Sequence, residues 1–99
     1  MKSRRFRPRN VIGPAIQRHR IKLEWSQAKL AAECQLAGWD ISRGIIASLE
    51  GRTRWAGDYE VALLAKVLRI SITALFPEEI DWPELGYSHV NEKGRRARS

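Results

Sequence analysis

Ninety-nine residues leave room for one small domain, since domains usually run to about 100–150 residues. With 43% hydrophobic and 29% charged residues, the chain has the makings of a globular core and is not a disordered polymer. The net charge of +7 is unevenly spread: residues 1–9 carry five basic side chains and residues 93–99 carry four, neither stretch with an acid. Between them, nine basic residues face eleven acids, a net −2, so the high isoelectric point belongs to two basic tails and is weak evidence for DNA binding.

No apolar run approaches the roughly 18 residues of a membrane span, and Arg18, His19 and Arg20 interrupt what would be the apolar part of a signal peptide. Cys34 is the lone cysteine, and there is no CxxC motif or Cys/His cluster for zinc. The expectation is a cytoplasmic protein with no metal or cofactor and no membrane partner. Enzyme chemistry has little support. Neither His19 nor His89 has a nucleophile or paired carboxylate at a telling spacing, and Gly51 and Gly57 read as turn glycines, not a phosphate loop.

Helical periodicity recurs along the middle of the chain. Ile12, Ile16, His19 and Leu23 fall at spacings of four, three and four, with Pro14 where a first turn tolerates it. Ser26 is placed to cap a second helix, with Trp25 before it as a hydrophobic staple; Leu30, Ala31 and Cys34 give its buried face, and Gly38 stops it. Ser42 caps a third, which buries Ile45, Ile46 and Leu49 and ends at Gly51. Asp58 is predicted to cap a fourth, with Val61, Leu64, Ala65 and Leu68 inward. Ser71 is predicted to open a short fifth helix through Ala74 and Leu75, halted before Pro77. No stretch alternates with period two for long enough to read as a strand.

The helix starts carry the functional argument. The second opens with Ser26, Gln27 and Lys29, where free N–H groups and the positive dipole end suit a phosphate. With Ile45, Ile46 and Leu49 inward, the third must show Arg43, Gly44, Ala47 and Ser48 outward. Small residues let a helix sit deep in a major groove, and one arginine can grip guanine O6 and N7. Charge agrees: residues 10–55 net +3 and residues 56–92 net −5.

At this point the sequence resembles the Cro and lambda-repressor-like (XRE) helix–turn–helix regulators. The matching pieces are Ile12-Gly13 with Ile16 and Arg20, Ser26-Gln27 with Leu30-Ala31, and Ile41-Ser42-Arg43 with Ile46, Leu49 and Glu50. Asp58, Leu64-Ala65, Leu68 and Ile72 through Leu75-Phe76 complete the set. The resemblance implies an all-α, compact five-helix bundle over residues 10–77, with the third helix in the major groove. It implies base-facing positions at Arg43, Gly44, Ala47 and Ser48 and a phosphate-contacting glutamine at Gln27. It also implies a buried structural ion pair, Arg20 with Glu50. Ser26, Lys29 and Ser42 join Gln27 as phosphate candidates, and Arg52 and Arg54 do so from just beyond the third helix. Two departures stand out: the connection between the second and third helices is lengthened by residues 36–40, and Arg52 occupies the place of the family's usual glycine.

The domain is thus framed by a basic disordered arm (1–9), an acidic and aromatic extension (78–92) and a basic tail (93–99). The four tryptophans read as core or lid packing, with Trp39 and Trp55 covering loops. The leading reading is a sequence-specific regulator of double-stranded DNA, a repressor of phage or bacterial style. It would act as a homodimer joined through Leu75, Phe76, Ile80, Trp82 and Leu85. Two rivals remain open. One is an antitoxin-type module that binds a small toxin partner and represses its own synthesis; the other is an RNA or single-strand binder using the Arg-rich arms and tryptophans.

Overall fold

A computed structural model describes residues 7–80 and residue 82. Its described residues form four α-helices and one 3-10 turn, with no strand: α1 (Gly13–Lys22), α2 (Gln27–Leu36), α3 (Arg43–Glu50), α4 (Asp58–Leu68) and the turn Ile72–Leu75. The N-terminal part of the basic arm, most of the 78–92 extension and the basic tail lie outside the described residues.

Each helix starts where a side chain captures an otherwise unpaired N–H. Ser26 Oγ accepts from Lys29 N at 3.0 Å, and Ser42 Oγ accepts from Ile45 N at 3.3 Å. At α1 the capping group sits further back: Asn10 Oδ1 accepts from the amides of Ile12 and Gly13. Asp58 is the first residue of α4 and not its cap. That position belongs to Gly57, whose N–H donates to Glu60 Oε1 at 3.1 Å. Glu60 in turn is held by Arg54, and this hydrogen bond is the main reason its carboxyl titrates below the usual carboxylate range.

The helix ends share one device. After α2, Gly38 N–H reaches the Gln35 carbonyl and Trp39 N–H the Cys34 carbonyl, a pattern that requires a left-handed residue, here Gly38 at φ 104°. The same paired bonds follow α1, α3 and α4, but the left-handed residues there are Glu24, Arg52 and Arg69, all with φ near 60°. Only Gly adopts that conformation without a steric cost.

Every element contributes to one core. Ile12, Ile16, Leu30, Cys34, Ile46, Leu49, Leu64 and Leu75 are almost wholly removed from solvent, each large aliphatic among them contributing about 1.5–3 kcal/mol. α3 packs against α1 and α2, α4 against α2 and α1, and the 3-10 turn against α4 and α1. Gly13 permits a close approach of α1 to α3: a Cβ there would collide with the carbonyl oxygens of Leu49 and Glu50. The N-terminal end of α1 therefore lies directly on the C-terminal end of α3. Burial also pushes the Cys34 thiol up to about 11, so this cysteine behaves as a small apolar core residue.

Three expectations need correction. The fifth helix is a single 3-10 turn capped by Ser71, so the described residues form four helices and a turn. Pro77 forces Phe76 into an extended conformation (φ −100°, ψ 144°), leaving too little chain for a longer helix. Leu75 is fully buried in the protein's own core and has no surface to give a partner. Trp25 and Trp39 do pack against the core, but Trp55 is 60% exposed and is not packed against it.

The left-handed ends predict a gain of stability. Arg69 is exposed at φ 63°, ψ 42°. Arg69→Gly removes about 1–2 kcal/mol of local strain while loosening the unfolded chain by about 0.4–1 kcal/mol. A net rise of about 0.8 kcal/mol in urea unfolding is expected from the midpoints of those two terms; a fall would contradict this reading of the helix end.

Candidate nucleic-acid interface

The starts of α2 and α3 lie side by side because one chain of hydrogen bonds runs beneath them. Arg20, on α1, is buried and donates through Nε to Glu50 Oε2 at 2.6 Å and through Nη2 to Glu50 Oε1 at 3.0 Å. Its Nη1 donates to the Trp25 carbonyl just before α2. The bonds to Glu50 hold the Arg20 pKa above its ordinary value despite burial. Gln27 Nε2 then donates to Glu50 Oε1 at 3.0 Å, and Arg43 Nη1 donates to Gln27 Oε1 at 2.8 Å. The groups are linked in the order Trp25 carbonyl, Arg20, Glu50, Gln27, Arg43, with the buried ion pair inside the chain and exposed Arg43 at one end.

This chain fixes an amide orientation. Because Glu50 is a pure acceptor, Gln27 must turn its nitrogen inward and its oxygen toward Arg43. One of the two Nε2 hydrogens remains beyond the bond to Glu50. Arg43 is exposed at the first position of α3 and uses one of its five N–H groups on Gln27. Ser42 and Gly44 beside it are exposed, and Ala47 and Ser48 are half-buried further along the helix.

The remaining candidates are distributed unequally. Ser26 is exposed, with its hydroxyl oxygen engaged as the α2 cap. Lys29 lies 2.8 Å from Glu33 and 5.8 Å from the Trp25 ring. Arg52 and Arg54 are not beside Arg43; they belong to the turn that leaves α3. Arg52 Nε donates to the Asn10 carbonyl at 2.8 Å, and Arg54 places both terminal nitrogens on Glu60. The six-residue connection 37–42 between α2 and α3 is pinned by a bond from Gln35 Nε2 to the Ile41 carbonyl.

Sequence reasoning missed Asn10. Its Nδ2 donates to the carbonyls of Leu49 and Arg54 while its Oδ1 caps α1, so one amide joins the entry of the first helix to the exit of the third. An asparagine just ahead of a periodic apolar stretch is a recognisable cap signal. Its partners some forty residues away are not readable from that signal.

Among the described residues there is no group of metal-ligating side chains and no helix long and apolar enough to cross a membrane. No family model matches the chain, and no curated protein matches its sequence. Among solved structures, the fold is similar to that of a hypothetical transcription factor, NHTF, from Neisseria. The TM-score is 0.61 at 20% identity, over 72% of this chain and 76% of that one.

The ion pair and the outer arginine should separate cleanly on mutation. Arg20→Ala leaves the Glu50 carboxylate, 4% exposed, without its partner and should cost about 3–5 kcal/mol in urea unfolding. Arg43→Ala removes only an exposed bond and should stay within about 0.5 kcal/mol of the parent. Equal losses for the two would refute the division between frame and face.

Proposed function

We propose that the protein is a sequence-specific regulator of double-stranded DNA in the manner of the XRE helix–turn–helix proteins, acting as a repressor with α3 in the major groove. The observation that carries this reading is the bond between Gln27 and Arg43. It couples the N-terminus of one helix to the first outward side chain of the next. A guanidinium steadied by one bond retains N–H groups for guanine O6 and N7, and Gly44, Ala47 and Ser48 are small enough for the helix to approach the base edges. Gln27 keeps a hydrogen for a phosphate at the positive end of α2, where exposed Ser26 and Ser42 flank it. The fold shared with a hypothetical transcription factor supports the reading.

Within it, Arg43, Gly44, Ala47 and Ser48 face bases; Ser26, Gln27, Lys29, Ser42 and Arg52 face phosphates. Arg54, held by Glu60, stabilises the α4 start in the free protein. Two copies would bind half-sites about one helical turn apart, with exposed Ile72 and Phe76 taking the place of the buried Leu75 in the contact between them. A second reading has one observation in its favour. Trp55 and Trp82 are 60% and 74% exposed and line one shallow groove, as rings that stack on single-stranded bases would.

Selection from a random duplex library, run on the parent and on Arg43→Ala, tests the proposal. The expected outcome is an enriched inverted repeat that relaxes at one base pair per half-site in the variant, by about 1–3 kcal/mol of discrimination. Low-salt binding without enrichment in the parent would overturn it, and stronger tryptophan quenching by single strands than by duplex would favour the second reading.

A further inference from the structure

The basic arm does not hang freely from the domain at residues 9 and 10. Arg9 N–H donates to the Arg52 carbonyl at 2.9 Å, and Arg52 Nε donates back to the Asn10 carbonyl at 2.8 Å. Asn10 Nδ2 holds the Leu49 and Arg54 carbonyls at 3.1 and 2.9 Å, and Gly13 sits against the Leu49 and Glu50 carbonyls with no room for a side chain. The last residues of the arm are thus clasped to the turn that leaves α3. The Arg9 guanidinium lies 5.8 Å from the centre of the Trp55 ring, within the range at which a cation is held over an aromatic face. Arg9 is exposed beside that turn, Arg7 is exposed two residues ahead of Arg9 in the chain, and Arg52 is half-buried within the turn.

We infer that Arg7, Arg9 and Arg52, with Trp55 as the platform beneath Arg9, form a phosphate-binding strip whose register is fixed to α3 by Asn10. This rests on the double-stranded-DNA reading and adds a second anchorage to it. An eight-residue helix is about 12 Å long, and the major groove is about 12 Å wide. With the start of α3 at one bank, its exit turn, one helix length away, meets the opposite bank. A ring that holds a guanidinium by its face leaves the N–H edge of that guanidinium outward, the edge that meets phosphate oxygens. Arms that are merely tethered add charge everywhere along a duplex; a clasped root delivers its charges to particular phosphates.

The experiment is ethylation interference and a salt titration on the selected duplex, using the full chain, Arg9→Gln and Trp55→Leu. Both substitutions are at exposed side chains outside the core. The parent should show a discrete group of essential phosphates across the groove from those near the α3 start. Arg9→Gln should lose part of that group, reduce the log–log salt slope by about 1, and keep the same preferred sequence. Trp55→Leu should blur the same phosphates with a smaller change of slope. A parent footprint with no such group, or one that Arg9→Gln leaves intact, overturns the strip while the DNA reading stands. A parent that selects no duplex sequence at all removes both.

Discussion

Burying a guanidinium and a carboxylate costs several kcal/mol for each ion unless the two meet with good geometry and their other hydrogen-bonding groups are occupied. Arg20 and Glu50 satisfy that condition only when three helices are in place. Arg20 comes from α1, Glu50 from the last residue of α3, and the outer partners from the start of α2: the Trp25 carbonyl and the Gln27 amide. Any rotation of one helix against another would leave a charge in the core without its partner. The apolar residues supply most of the cohesion, but they are tolerant of small slides; a bidentate pair is not. The exposed faces of α2 and α3 inherit their relative position from this buried contact.

The rest of the surface follows from that frame. Gln27 connects inside to outside, since one end of its amide is committed to Glu50 and the other to Arg43. A second joint sits at the same, C-terminal end of α3 as Glu50, where Asn10 and Gly13 bring the chain entering α1 against the turn leaving α3. The C-terminal end of the short α3 is therefore held by the ion pair and by Asn10, its start by the bond from Arg43 to Gln27, and its outer face is left to small residues. Such a helix presents a fixed shape, which suits recognition of a rigid groove better than of a flexible strand.

What was legible in the sequence was local. Ser26, Ser42 and Gly38 act through bonds spanning a few residues, and their roles follow from residue type and spacing. The inward stripes of α3 and α4 follow from periodicity in the same way. The left-handed residues Glu24, Arg52 and Arg69 were not legible, because helix-end rules look for glycine and these positions tolerate strain that tertiary packing offsets. The 3-10 turn is not legible either, because Ser71 and Pro77 mark its two ends without saying how many residues a full α-turn needs between them. At the site, residue types pointed to Gln27 and Arg43 separately, but their direct bond depends on how α2 and α3 sit on Arg20 and Glu50. Arg54 shows the converse: a basic residue in a promising place whose charge is taken by Glu60, a partner visible only in three dimensions.

The central claim is that the ion pair organises the surface at the starts of α2 and α3 that is proposed to face DNA. The most direct test is an amide chemical-shift titration of the isotope-labelled full chain with its selected duplex. The account predicts the largest changes at Ser26, Gln27, Arg43, Gly44, Ala47 and Ser48, with the Arg43 side-chain signal shifting as well and the outer face of α4 quiet. Changes centred on α4 and the 3-10 turn, with the α2 and α3 starts unmoved, would contradict it.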